Sequence, residues 1–171
     1  HAEEFLEEGY LVDFYDRIGL PALMLGEQDR QRGLMREEQR ERLAEGARAL
    51  VANLEEIAQE ENEEEDDDEA AGDEEGAEAE AELELPDGEG RRLLCLGGRD
   101  DVDDAAAAML AQVLSVQDAE AATASHADLA AKRIGELPLD GVDTVVVAFL
   151  NPHSLALGRH VVRRLKRMRK G

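Results

Sequence analysis

Two short apolar runs on either side of an alanine-rich segment constrain the fold of this chain more than any other feature. The runs are RRLLCL at 91–96 and DTVVVAFL at 143–150, and DDAAAAMLAQVL lies between them at 103–114. Continuous apolar runs of this length are typical of strands covered on both faces, and such strands alternate with helices in parallel sheets. The pattern therefore predicts parallel βαβ units.

Weaker signals complete this half of the chain. We expect a third strand in AEAATAS at 119–125, and the capping signature of Ser125 and Asp128 predicts a helix over 125–137. The last segment predicts a helix with Val161, Val162, Leu165 and Met168 toward one side. The expected fold class is α/β, a small helical bundle followed by a three-stranded parallel sheet of the flavodoxin-like kind, which a further strand beyond Gly171 would complete.

The first part of the chain has helical periodicity. One predicted apolar stripe is formed by Phe14, Ile18, Ala22 and Leu25, with Pro21 expected to kink its helix and Gly33 to end it. A second stripe is formed by Leu43, Ala47, Leu50, Leu54 and Ile57. Both stripes are interpreted as the core of a small bundle.

A long acidic segment separates the two parts. No Lys or Arg occurs from Glu55 to Glu84, so like-charge repulsion and scarce apolar surface oppose ordering. We expect a helical bundle at 1–59, a disordered acidic linker at 60–90 and an α/β domain at 91–171. A Ca²⁺-binding role for the linker is the sharper alternative, but the fixed spacing of a calcium loop is absent.

Charge and cysteine content exclude several classes of function. The net charge of −23 opposes binding to nucleic acid phosphates. The single cysteine, Cys95, supports neither a disulfide framework nor a paired-cysteine metal site, and favours a reducing, cytosolic setting. We find neither an apolar run of membrane-spanning length nor a signal peptide.

Candidate ligand-binding residues follow the predicted strands. In open α/β sheets ligands lie at the carboxyl ends of the strands, which selects Asp101, Asp103, His126, Asn151 and Ser154. The loop GGRDDVDD carries carboxylates that would repel the phosphates of a dinucleotide or P-loop site. Paired aspartates suit a phospho-receiver domain, but Asn151 stands where the acceptor aspartate is needed.

The remaining chemistry is sparse. Ser154 beside His153 lacks a nucleophile elbow, and a metal site built from His126 and His153 is a weak alternative. Aspartates at a helix start also cap free N–H groups, which is their ordinary role. We therefore expect no enzyme, no cofactor and no metal.

The helical half, with its segment LVDFYDRIGLPALMLGEQDRQRG, resembles the helical cap of cobalamin-binding modules, and the α/β half is similar to the flavodoxin-like domain that follows such a cap. Asp101, Asp103 and Ala106 fall where that family has the Asp, His and Gly of its D-x-H-x-x-G motif. The resemblance implies a scaffold that has lost its cobalt-ligating histidine.

The order of helical segment, acidic spacer, α/β segment and VVRRLKR resembles the cytosolic C-terminal extension of some bacterial permeases of the autoinducer-2 exporter family. This resemblance implies a non-enzymatic regulatory or interaction domain at the cytoplasmic face of the inner membrane, with the membrane part of the same transporter as partner. The basic last helix offers a surface for an anionic membrane. The alternative function is a sensor that binds a corrinoid or nucleotide-like molecule between cap and sheet.

Overall fold

The sheet of the computed structural model, which describes residues 8–68 and 88–168, is three-stranded and parallel. Its strands are β1 (Arg92–Gly97), β2 (Glu120–Ala124) and β3 (Thr144–Ala148), in the order β2-β1-β3. Leu94, Cys95 and Leu96 of the central β1 are fully buried, because both faces of the sheet are covered. The α/β class is confirmed, and the strand order is that of the first three strands of a flavodoxin-like sheet.

Helix α4 (Asp101–Ser115) covers one face of the sheet. Helices α1 to α3 belong to the helical half described below. Ala107 and Ala111 pack beside Cys95 on this face, whereas Ala105 and Ala106 lie in a core shared with the helical half. A helix buried on two sides needs small side chains for close approach, which explains its alanine run.

Helix α5 (Leu155–Met168) covers the opposite face. Val161 and Leu165 pack against Leu94 and Leu96, and Met168 is partly buried at the same contact, as predicted. Val162, predicted on the same side, is instead exposed.

The helix predicted over 125–137 is wrong. The chain forms two 3₁₀ turns there, His126–Leu129 and Ile134–Glu136. The predicted capping box of Ser125 and Asp128 is present, but Ala130 takes an extended conformation (φ −59°, ψ 150°) directly after the first turn. This irregular path brings Leu129, Ile134 and Leu137 to the core at spacings of five and three residues.

The helical half contains α1 (Glu8–Phe14), α2 (Leu20–Gln31) and α3 (Glu37–Asp68). A π-helical turn, Tyr15–Gly19, joins α1 to α2 directly before Pro21. Gly33 adopts a positive φ of 71° after α2, so the predicted helix end is confirmed.

The apolar stripe predicted in the first helical segment is confirmed at Phe14, which is half-buried against the core, and is wrong at its other three positions. Ile18, Ala22 and Leu25 are exposed, and the buried positions are Leu11, Tyr15, Gly19, Leu23, Gly26 and Glu27. The buried face follows steps of four from Leu11 through the π-helical turn to Glu27, and the glycines allow close packing. A Cβ on Gly26 would lie 2.2 Å from Cδ2 of Leu43, so a larger residue there would displace the Leu43 side chain.

The stripe predicted in α3 is confirmed for Leu43, Ala47, Leu50 and Leu54, which are buried or half-buried; the side chain of Ile57 lies outside the described residues. The backbone of α3 remains helical to Asp68, within the range predicted as linker. Glu and Ala are good helix formers, and extending an existing helix needs no new nucleus. Residues 69–87 lie outside the described part, so the linker prediction stays a prediction.

The helical half and the α/β half share one core. Leu23 of α2 and Ala44 and Val51 of α3 lie in one buried cluster with Val102 and Met109 of α4. A polar bridge crosses this core: the Tyr15 hydroxyl donates to Gln112 Oε1, and Gln112 Nε2 donates to the Val51 carbonyl at 3.0 Å. Burial is the main cause that raises the pKa of Tyr15, and Glu55 adds to it.

Among the helices of the described ranges, none combines the length and the apolar content that crossing a membrane requires.

Candidate functional site

The loops after β1, β2 and β3 meet at the carboxyl edge of the sheet, where ligands bind in this class of fold. The two glycines of the first loop serve close packing. A Cβ on Gly97 would lie 2.5 Å from the Asp104 nitrogen, and a Cβ on Gly98 would lie 2.1 Å from Cε1 of Phe149. Gly97 and Gly98 therefore allow α4 and Phe149 to pack closely against the loop, and they do not form a phosphate-binding loop.

The Asp103 side chain points into the protein interior. Its Oδ1 accepts a hydrogen bond from the Leu150 backbone N–H at 2.8 Å, and its side chain is 1% exposed. Among the described residues, Oδ2 has no hydrogen-bond partner. Burial raises the pKa of Asp103 to about 6, against the opposing effect of the Leu150 N–H.

Glu27 of α2 is the centre of a buried ionic cluster at this edge. It is 3% exposed, and Arg30 donates to both of its carboxylate oxygens at 2.7 Å. Asn151 Nδ2 donates to Oε1 at 2.8 Å, and Arg99 Nη2 lies 3.0 Å from the same oxygen. Burial opposes the charge of Glu27, but hydrogen bonds from Arg30 and Gln31 and the adjacent charge of Arg99 lower its pKa to about 2.

The cluster extends to α4 and α3. Arg99 Nη2 lies 2.9 Å from Asp100 Oδ2, and Arg40 Nη1 lies 3.6 Å from the same oxygen. Asp100 also caps α4 by accepting from the backbone N–H groups of Val102 and Asp103. We call Glu27, Arg30, Arg40, Arg99, Asp100 and Asn151 the rim clamp. It fixes α2 and α3 over the edge of the sheet.

A second cluster lies where β1 and β2 end. Asp104 Oδ2 is 2.8 Å from Nδ1 of His126, and Asp101 Oδ1 is 4.0 Å from the same nitrogen. Asp104 also accepts from the Ser125 hydroxyl at 2.8 Å and the His126 backbone N–H at 2.6 Å. The three side chains Asp101, Asp104 and His126, which we call the Asp–His cluster, are partly exposed and have the spacing of a metal site.

An apolar groove of about 650 Å³ runs along α5. Its apolar lining residues include Phe149, Leu155, Gly158 and Val162. Its lining also includes three exposed cations, Arg159, Arg163 and Lys166. We call it the α5 groove. It offers an apolar contact beside positive charge.

The predicted site residues divide among four places. Asp101 and His126 come together, Asp103 packs under Leu150, and Asn151 joins the rim clamp. Ser154 is buried at the end of the α5 groove. They do not converge on one cavity.

The nucleophile hypotheses gain no support in the described geometry. Ser154 is buried, whereas the neighbouring His153 is exposed. Cys95 is buried in β1, and burial raises the pKa of its thiol to about 11, so it is neutral and protected near neutral pH.

Sequence reasoning missed Glu27, and it placed Arg99 and Asp104 in the loop at the sheet edge without selecting them as site residues. Glu27 follows Leu11, Tyr15, Gly19 and Leu23 at steps of four. Residues at this spacing share one face of a helix, so Glu27 is a charged residue on a buried face. That position was a signal for the rim clamp. The pairing of Asp104 with His126 depends on strand order and had no local signal.

Comparison with known proteins gives no relative: no protein family, curated protein or solved structure matches this chain.

The residues present do not fit a corrinoid. The resemblance would place the cobalt-ligating histidine at Asp103, whose carboxyl is buried against Leu150. The space above the sheet edge holds the rim clamp, with contacts of 2.7 to 3.0 Å around Glu27.

Proposed function

We propose that this chain is a non-enzymatic regulatory or interaction domain of a bacterial membrane transporter, at the cytoplasmic face of the inner membrane. In this proposal its partners are the membrane part of the same transporter and the anionic lipid surface around it. The observation that carries the proposal is the α5 groove, an apolar surface beside cations on a chain of net charge −23.

The carboxyl edge of the sheet is occupied by side chains, which supports binding through a different surface, the α5 groove. In this fold class the edge is the ordinary ligand site, and here it is filled by the rim clamp. Breaking a buried ionic cluster costs several kcal/mol. The α5 groove is open without any such rearrangement.

The chemistry of α5 suits a lipid surface. Leu155 is 64% and Val162 41% exposed, and the helix contains no acidic residue. Apolar and basic side chains on one exposed face are typical of helices that lie in a membrane interface. Each cation near an anionic leaflet contributes about 1 kcal/mol.

The rest of the chain limits this interaction. The acidic remainder is repelled by anionic lipid, so only an orientation with α5 toward the membrane is favourable. We therefore expect weak binding that high salt abolishes, because salt screens exposed charges. Weak binding suits a domain that a membrane-embedded partner already holds nearby.

Sedimentation with lipid vesicles tests the proposal. The chain should sediment with phosphatidylserine vesicles at low salt and not with phosphatidylcholine vesicles. Reversal of two groove cations, Arg159→Glu with Arg163→Glu, should abolish this binding. The matched control, Arg32→Glu with Arg36→Glu, makes the same charge change at exposed positions between α2 and α3 and should bind like the unmodified chain. Absence of binding, or equal loss in both variants, would contradict the proposal.

The alternative function, a corrinoid or nucleotide-like sensor, requires the rim clamp to open. Titration of the unmodified chain with hydroxocobalamin separates the two hypotheses. Tight binding favours the sensor, and no binding leaves the interaction domain as the better account.

A further inference from the structure

We propose that the Asp–His cluster binds a divalent transition-metal ion of the zinc class. Asp101 and Asp104 lie in the first turn of α4, and His126 lies in the turn after β2. One ligand atom from each side chain lies within 4.8 Å of the other two. This site is independent of the proposed membrane contact, which uses α5.

The distances are close to those of a metal shell. Bonds of about 2.0 to 2.1 Å in a tetrahedral zinc site place neighbouring ligand atoms about 3.3 Å apart. The corresponding separations here are 2.8 Å from Nδ1 of His126 to Asp104 and 4.0 Å to Asp101. Both separations lie within about 0.7 Å of that spacing, and the ligand atoms of Asp101 and Asp104 lie within 4.8 Å of each other.

The surroundings prepare two of the three ligands. The Ser125 hydroxyl and the His126 backbone N–H both donate to Asp104, which fixes the carboxylate beside the imidazole. Such contacts orient metal ligands and are part of most metal sites. Asp101 is held more loosely: Arg48 Nη1 lies 3.9 Å from its Oδ1, and the side chain is partly exposed.

The donor set selects the class of ion. One imidazole nitrogen with two carboxylate oxygens suits zinc and its neighbours, whereas calcium and magnesium prefer shells of oxygen alone. Binding requires the imidazole proton to reside on Nε2, which leaves the Nδ1 lone pair for the metal. Three protein ligands leave further coordination positions to water, as in zinc sites that are not purely structural.

Titration of the full chain, free of any histidine tag, with Zn²⁺ tests this site. Excess Mg²⁺ in the buffer occupies the many surface carboxylates, so that loose binding to the acidic segment does not contribute. We expect one Zn²⁺ per chain, and a Co²⁺ complex whose visible spectrum shows a nitrogen ligand. Asp101→Asn and His126→Ala should each weaken binding at least about tenfold.

The matched control is His153→Ala, which removes an exposed histidine from the same edge of the sheet, outside the cluster. It should bind Zn²⁺ like the unmodified chain. Asp101→Asn keeps the contact between Asp104 and His126, so it tests the site even where His126→Ala impairs folding. Failure to bind Zn²⁺ in the presence of Mg²⁺, or unchanged affinity in Asp101→Asn, would overturn the proposal.

Discussion

Glu27 joins the helical half to the sheet through contacts with Arg30, Arg99 and Asn151. Glu27→Gln keeps the shape of the side chain but leaves the arginine charges without their buried partner. We expect the free energy of unfolding at neutral pH to fall by about 3 kcal/mol. Urea denaturation measures this loss, and the exposed Glu38→Gln on α3 is the control that should change little.

The same residue predicts a pH dependence. Folding lowers the pKa of Glu27 from 4.5 to about 2, so its stabilising contribution is complete above pH 4.5 and is lost as the pH falls toward 2. The difference in melting temperature between the unmodified chain and Glu27→Gln should therefore shrink through that window. A difference that stays constant as the pH falls would contradict a stabilising role for the ionised form.

Gly97 and Gly46 provide a contrasting pair of Gly→Ala substitutions. A Cβ on Gly97 meets the backbone of α4, with the Asp104 nitrogen at 2.5 Å, whereas a Cβ on Gly46 meets nothing within 4 Å. Gly97→Ala should cost roughly 1 to 3 kcal/mol. Gly46→Ala, in the middle of α3, should stabilise by about 0.5 to 1 kcal/mol. Equal effects in thermal denaturation would show that the close packing at Gly97 is not significant.

At the scale of elements, α4 depends on Asp100 for its start. Asp100→Asn keeps an N-cap acceptor and removes the charge that faces Arg99 and Arg40. Asp100→Ala removes both. The alanine variant should be less stable than the asparagine variant by about 1 kcal/mol in urea denaturation. Identical stabilities would mean that the cap contributes nothing beyond the charge.

The elements differ in how well the sequence predicts them. The three strands, α4 and α5 were predicted because apolar runs and capping signals are local. The prediction of a helix over 125–137 was wrong. The capping box starts a single turn, and the backbone after that turn is irregular because Leu129 and Ile134 both pack in the core. The first apolar stripe failed beyond Phe14 because the buried face follows steps of four from Leu11 through the π-helical turn to Glu27. That face includes a glycine and a glutamate, so it is less apolar than the stripe that was predicted.

The candidate site was predicted in part for the same reason. Strand order alone brings the loops after β1 and β2 together, so Asp101 and His126 were correctly placed at one edge. The partners that define the site's chemistry come from distant positions. Glu27 reaches Asn151 across 124 residues, and a sequence offers no local sign of such a contact.

At the scale of the whole molecule, the shared core predicts that both halves unfold together. The chain supplies a native probe for each half. Both tyrosines, Tyr10 and Tyr15, lie in the helical half, and the single cysteine, Cys95, is buried in β1. Tyrosine fluorescence and the rate of Cys95 labelling should give one common urea midpoint. A thiol that stays protected after the fluorescence change is complete would show that the halves unfold separately.

The most direct test of the account is hydrogen exchange with mass spectrometry on the full chain, with and without phosphatidylserine vesicles. If the α5 groove is the docking surface, lipid should slow exchange in peptides covering residues 149–166 and leave the peptides around Glu27 and Asp103 unchanged. Slower exchange at the rim clamp without any change in α5, or no change anywhere at low salt, would contradict it.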